Sequence, residues 1–263
     1  MGGLEIVGDL DEHIRRVSDH YDRLAANGPY GTLAPHNRGG RKSEYVAAVF
    51  DVALLNPLTQ SAPYQRILDF GCGTGIFTRK AAAIACEVVG MNISPGMLEQ
   101  AKAVCRELSN VRLMRTDGSH VPLPDQSVDV VATREVLCYV PDVQLPYLLA
   151  ELRRVTRPGG TFLWLEQVSE NPDWQRNPQS PNLVKRSSDA IRKTAKDSGW
   201  EVLDERIVRT PRFPWIYLVW FGLVPHGLIP TLARWEVAWH SRRGRPAQRW
   251  WNCLFELRNP AND

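Results

Sequence analysis

The sequence predicts an α/β fold, a doubly wound sheet with helices on both faces. Two observations predict it. Between residues 65 and 168 short apolar runs alternate with helical patterns, and the first run passes straight into a glycine-rich turn, "ILDFGCGTG" at 67–75. Strands and helices alternating at this pitch build βαβ units and a parallel sheet. Crossovers in such units are right-handed, which leaves the doubly wound arrangement as the economical solution.

Each element follows from its pattern. The predicted strands are "RILDF" (66–70), "CEVVGMNI" (86–93), "VRLMRTD" (111–117), "VDVVATR" (128–134) and "TFLWLEQV" (161–168), with helices at about 75–84, 95–107 and 144–156. Residues 1–60 read as helical and loop-like, interrupted by the polar "NGPYGTLAPHNRGGRKS" (27–43). Later come a helix at 185–198, a strand at "EVLDERIV" (201–208), a Trp-rich segment, and a last strand at "WWNCLFELR" (250–258). Seven of the nine tryptophans follow residue 199, so the two halves do different jobs. This divides the chain into an N-terminal lid (1–60), an α/β core (61–210) and a Trp-rich cap with the final strand (211–263).

Composition narrows the function. The 263 residues can bury one large core with elaborations. A net charge of +3, with no basic stripe interleaved with aromatics, argues against nucleic acid. The five cysteines are scattered and form no CxxC pair, so neither a disulfide framework nor a metal site is expected, and a reducing cytoplasm fits. "MGGLEIVGDLDEHIRR" lacks a signal-peptide pattern, and Ile6 stands where N-myristoylation needs Ser or Thr.

The turn itself points to a ligand. Gly71-x-Gly73-x-Gly75 places bare backbone beside a helix N-terminus, where a ligand can approach closely. Dinucleotide binding uses GxGxxG, whereas here the third glycine comes one position early and Ile76 takes its place. Asp69 suits an amino group better than a pyrophosphate. An amino-acid-bearing nucleoside meets both conditions.

This stretch resembles motif I of the class I S-adenosylmethionine-dependent methyltransferases of small-molecule type. The resemblance continues through "VVGMNISPGMLEQAK" (88–102), "RTDGSHVPLPDQSVDVVATREVLCYVPD" (115–142) and "LRRVTRPGGTFLWLE" (152–166), about 100 residues in order. It implies a Rossmann-like, seven-stranded, mostly parallel sheet, with an N-terminal helical lid and an aromatic insertion before the last strand. It also implies S-adenosylmethionine as cofactor. Asp69 would face the methionyl amino group, and Gly71, Cys72 and Gly73 would give close backbone approach. Ile93 and Met97 would lie on the cofactor's second-strand side. Asp117 would accept from the adenine amine, with Gly118 and Ser119 on the same edge. Arg134 and Glu135 would lie beneath the sulfonium. One position departs from the family pattern: Asn92 stands where an acid usually holds the ribose hydroxyls, and an amide has only one oxygen to accept with.

Methyl transfer is an in-line displacement, so the protein must align the reactants and take a proton from a neutral acceptor. The candidates are His36, Glu135 and Tyr139. Tyr139 follows Cys138 where many relatives carry two histidines. His120, His226 and His240 read more simply as surface or core residues. Around His36, Arg38, Arg41 and Lys42 form either a solvated turn or a grip for an anion.

"WIYLVWFGLVPHGLIPTLA" (215–233) is nineteen residues without a formal charge, broken by Pro225, Gly227 and Pro230. It reads either as a cap over a lipophilic acceptor or as a patch dipping into a bilayer, with Arg234, Arg242, Arg243, Arg245 and Arg249 close behind. Leu232, Trp235 and Trp239 at helical spacing fit a core-facing helix. The expected function is methylation of a small-molecule or lipid-linked acceptor, at oxygen of a sugar or secondary metabolite first, at carbon of a quinone-type ring second. A binding module without catalysis is the third reading. The expected location is cytoplasmic, with peripheral membrane contact under the bilayer reading.

Overall fold

The computed structural model describes residues 10–30, 40–59, 61–170, 183–242 and 250–261. In chain order the elements are α1 (Leu10–Ala25), α2 (Arg41–Leu58), β1 (Tyr64–Phe70), α3 (Ile76–Ala81), β2 (Ala85–Asn92), α4 (Pro95–Cys105), β3 (Val111–Arg115), β4 (Val128–Arg134), α5 (Leu145–Val155), β5 (Thr156–Val168), α6 (Ser188–Asp197), β6 (Glu201–Arg209), α7 (Pro214–Trp220), α8 (Ile229–His240) and β7 (Trp251–Arg258). The strands form one seven-stranded sheet in the order β3-β2-β1-β4-β5-β7-β6. Only β7 runs antiparallel to its neighbours. This is the expected Rossmann-like α/β sheet, and α7 and α8 are the aromatic elaboration before its last strand.

Burial on both faces explains why the strands read as unbroken apolar runs. Successive residues point to opposite faces. Ile67 and Val130 therefore join one core cluster with α2 and α8, while Leu68 and Val131 join another with α5 and α6. Helix α5 buries the stripe Leu145, Leu148, Leu149, Leu152 and Val155. Each such side chain contributes roughly 1.5–3 kcal/mol when removed from water. Strand β5 starts earlier than its apolar run, because Thr156 pairs with Val128 before the ladder resumes at Val130 and Thr161. The "RPGG" residues bulge between those two pairings. β3 stops at Arg115, short of the predicted 117.

Sheet order reverses between β1 and β4, so a crevice opens at their C-terminal ends. Helix α1 is fastened across it. Asp22 accepts from the Gly96 N–H at 2.8 Å and from the Ser94 hydroxyl, at the N-terminus of α4. Ser94 is also the cap of that helix, accepting from the Met97 N–H at 3.1 Å. Beyond α1, the Thr74 hydroxyl in the glycine turn donates to the Pro29 carbonyl at 2.6 Å. No described helix is long and apolar enough to cross a membrane.

Candidate functional site

A pocket of about 200 Å³ occupies this crevice, walled by α1, the glycine turn and the loops after β2, β3 and β4. The three glycines of the turn have different reasons to be glycine. All adopt positive φ: +80° at Gly71, +52° at Gly73 and +79° at Gly75. A Cβ on Gly71 would lie 2.2 Å from Val136 Cγ2, and one on Gly75 would lie 3.0 Å from the Ala101 Cα. A Cβ on Gly73 would meet no protein atom within 4 Å, and Gly73 lines the pocket. Packing thus requires glycine at the first and third positions, and no protein contact requires it at the second. The N–H groups of Gly71 and Cys72 both donate to the Met91 carbonyl at 2.8 Å. They tie the turn to β2 and are not offered to a phosphate.

Of the residues singled out in the sequence, Gly71, Gly73, Asn92, Ile93, Gly118, Ser119, Arg134, Glu135 and Tyr139 come together on the pocket wall. Asp69, Cys72, Met97 and Asp117 do not line it. Cys72 and Met97 are buried behind the wall. Asp117 is exposed, and its Oδ1 accepts from the N–H groups of Ser119 (2.8 Å) and His120 (3.0 Å). Burial pushes the Asp117 carboxyl up, but those hydrogen bonds outweigh it and hold the group below its usual range. His36 lies outside the described residues.

Asp69 sits beneath the turn, only 3% exposed, and accepts from the Thr78 hydroxyl at 2.5 Å. Burial raises its pKa to about 6, against the opposing effects of Thr78 and Arg134. Arg134 is held by Asp51 of α2 at 3.0 Å, and Asp51 also binds Lys80 at 2.6 Å. Glu135 is one of two described non-glycine residues at positive φ, here +54°. Such a conformation costs roughly 1–3 kcal/mol and persists where surroundings enforce it. Its N–H donates to the Leu165 carbonyl at 2.9 Å, and its carboxylate accepts from Asn252 Nδ2. Asn252 is itself oriented by Arg209, which donates to Oδ1 at 3.0 Å. Burial pushes the Glu135 carboxyl up, while Arg209, Lys185 and Arg134 pull it down.

Asn92 also differs from expectation in detail. Its Oδ1 already accepts from the Ser94 N–H at 2.9 Å, so the amide presents chiefly a donor to the pocket. The histidine on the pocket wall is one the sequence did not single out. His13 Nε2 lies 2.7 Å from the Tyr139 carbonyl, which can only accept. Nε2 therefore donates in this contact. Tyr21 of α1 packs edge-on against Tyr139, with ring centroids 5.4 Å apart. Leu10, Ile14, Val17 and Tyr21 of α1 lie at helical spacing and line the pocket. Nothing local told that these residues face the crevice. By contrast, His120 pairs with Glu151 at 2.8 Å, His226 pairs with Glu44 at 3.2 Å, and His240 lies near Thr210. None of these three lines the pocket.

Comparison with known proteins agrees with the geometry. The family model described as a methyltransferase domain matches residues 68–164, which run from β1 through β5. Over that segment the chain is similar to methyltransferase domains. This chain is 40% identical over 104 residues to the malonyl-[acyl-carrier protein] O-methyltransferase of Serratia marcescens, covering 40% of this chain and 39% of that protein. It is 32% identical over 176 residues to the 24-methylenesterol C-methyltransferase 2 of Oryza sativa subsp. japonica, covering 60% and 47%. The matched regions thus span less than half the length of these curated relatives. Among solved structures, the [4+2]-cyclase SpnF aligns with a TM-score of 0.70 at 22% identity, over 95% of this chain and 97% of that one. The geranyl diphosphate C-methyltransferase from Streptomyces coelicolor A3(2) aligns with a TM-score of 0.68 at 15% identity, over 94% and 98%. At these identities the structural likenesses establish the fold.

Proposed function

We propose that the protein methylates a small, hydrophobic or lipid-linked acceptor, at oxygen, using S-adenosylmethionine. The observation that carries this reading is a pocket at the sheet's switch point lined by polar and apolar groups together. The glycine turn, Asn92 and the Gly118–Ser119 edge are polar; the wall of Leu10, Ile14, Val17, Val140 and Leu148 is apolar. The residues present fit the cofactor, since Gly73 leaves open to the pocket the space a side chain would fill. Bound S-adenosylmethionine supplies an electrophilic methyl and a thioether leaving group.

The chain's own residues do the rest. Gly73 and Asn92 hold the nucleoside, and Gly118 and Ser119 line the base edge. Asp69 provides negative charge beneath the turn for the amino group. Glu135, fixed by Asn252, takes the acceptor's proton, and Tyr139 lines the same wall. His36, which lies outside the described residues, remains a candidate base by its sequence position alone. The O-methyltransferase relative favours oxygen, while the sterol relative keeps carbon methylation as the second reading. Because one protein of this fold is named a cyclase, the fold alone does not settle the chemistry. Incubation with S-adenosylmethionine and panels of lipophilic alcohols, acyl thioester carboxylates and quinols, followed by mass spectrometry, tests it. A methoxy or methyl-ester product supports the reading; a ring C-methyl product replaces it with the second.

Two binding predictions check the cofactor assignments. If Asp69 faces an ammonium group, affinity for S-adenosylhomocysteine requires its ionised form. Affinity then falls about tenfold per unit as pH drops below about 6 and levels above it, and Asp69→Asn weakens binding and flattens the profile. A pH-independent wild-type affinity by calorimetry defeats that role. At Asn92, a carboxylate can keep the Ser94 N–H and still offer a second oxygen to a hydroxyl. Asn92→Asp is expected to tighten S-adenosylhomocysteine binding by about 10- to 100-fold, the worth of one hydrogen bond to a charged acceptor. Unchanged or weaker binding would place the ribose elsewhere.

A further inference from the structure

The outer face of α7, the following turn and α8 is unusual for a surface in water. Phe221 and Leu223 are each 70% exposed, Trp235 59%, Trp220 52%, Leu228 51% and Trp239 49%. The inner residues of the same elements, Ile216, Val219, Val224, Ile229, Ala233 and Val237, all enter one core cluster. The exposed residues therefore point outward from a single layer. Trp215 and Trp235 lie 6.5 Å apart by ring centroid, as do Phe213 and Trp239, which joins the start of α7 to α8. The turn is fixed rather than loose, because the Arg41 guanidinium of α2 donates to the Val224 carbonyl.

The described charges around this face are mostly cationic. Between residues 210 and 242 the sole acid is Glu236, which is fully buried. Arg212, Arg234 and Arg242 are exposed, and Lys42 sits over the Trp220 ring at 5.2 Å. Glu44 of α2, which reaches the same turn, is already engaged by His226. Exposed tryptophans with flanking cations and no free acid match the boundary of an anionic bilayer, where the rings sit at headgroup level and the cations meet lipid phosphates. α7 and α8 have 7 and 12 residues, short of the roughly 20 needed to span.

We propose that this face docks the protein onto anionic lipid bilayers, lying on the surface without crossing it. The face also has a physical link to the pocket. Its inner side carries Glu236, which lies within electrostatic reach of Arg209, and Arg209 orients the Asn252 that holds Glu135. Docking therefore fixes the wall bearing Glu135 relative to the membrane. The proposal goes beyond methyl transfer and can fail or hold without it.

The test is co-sedimentation of the full chain with phosphatidylcholine vesicles, with and without phosphatidylglycerol in equal proportion. Binding is expected only with the anionic lipid, weakened but not abolished by added salt. The double variant Phe221→Ser/Leu223→Ser is expected to lower partitioning at least tenfold, and Trp235→Ser/Trp239→Ser likewise. S-adenosylhomocysteine affinity is expected to stay at the wild-type value in both variants, and melting temperature in Phe221→Ser/Leu223→Ser, which separates this proposal from the cofactor reading. Trp235→Ser/Trp239→Ser loses the ring contacts to Trp215 and Phe213 and is expected to melt lower. Equal binding of wild type and both variants, or no binding at low salt, overturns it. So does a dimer, seen by light scattering, that the same substitutions dissociate without any vesicle binding, since the face would then belong to a second copy of the chain.

Discussion

Gly73→Ala is expected to cost the protein about 1 kcal/mol of stability and at least 100-fold in affinity for S-adenosylhomocysteine. The stability cost is that of placing a Cβ on a residue at φ +52°, in the left-handed region. No steric term adds to it, because the new methyl meets no protein atom within 4 Å. Gly73 lines the pocket, so the new methyl is expected to take space a close-fitting ligand needs. Gly71→Ala and Gly75→Ala are the informative contrasts. The former drives a Cβ to 2.2 Å from Val136, and the latter to 3.0 Å from the backbone of Ala101. Both are expected to destabilise by several-fold more than Gly73→Ala, of order 1–3 kcal/mol beyond the backbone term. Loss of binding in those two says little about the ligand. Gly73→Ala separates the roles when calorimetric titration is paired with denaturant unfolding. A variant that still binds S-adenosylhomocysteine within tenfold of wild type would mean that the turn does not contact the ligand.

That contrast also marks where sequence reading reached its limit. The strands were legible because both sheet faces are buried, which makes their apolar runs continuous and their ends abrupt. The turn was legible as bare backbone at the end of β1 because its glycines alternate just before a helix. Which of them packing requires was not legible, since the demands come from Val136 and Ala101, 65 and 26 residues away in sequence. The same holds for the lid. The helical character of α1 is visible in the sequence, yet its docking through Asp22 to the cap of α4 joins residues 74 positions apart. His13 therefore escaped notice, while His120 and His226, equally visible, are paired at the surface. Asn252 on β7 could not be connected to Glu135 until the antiparallel strand was in place between β5 and β6. Long-range contacts of this kind leave no periodic trace.

The second large effect concerns pH. Four carboxyls are pushed up by their surroundings: Asp69 to about 6, Glu166 and Glu236 each to about 7, and Glu135 in the same direction. Burial is the leading cause in each. Glu236 faces the Tyr45 hydroxyl, Arg209 and, on its own helix, His240. Tyr45 and Arg209 lower its pKa without offsetting the loss of water. Glu166 accepts from the Cys138 N–H at 3.0 Å and Trp164 Nε1 at 3.2 Å, yet Glu135 repels its charge. In the unfolded chain these groups ionise near pH 4 to 4.5, so between there and about 7 the folded state binds more protons. The contribution of these groups to stability therefore falls as pH rises through that window and levels off above it. For Glu236 alone the shift corresponds to about 3 kcal/mol. Glu236→Gln keeps an oxygen for the Tyr45 hydroxyl and removes the ionisation. Its stability relative to wild type is expected to be about 3 kcal/mol more favourable at about pH 8 than at about pH 5. Denaturant unfolding at the two pH values measures this difference directly. A wild type most stable near pH 8, with the variant following it in parallel, would show that Glu236 folds already ionised, matched by Arg209 as a buried ion pair.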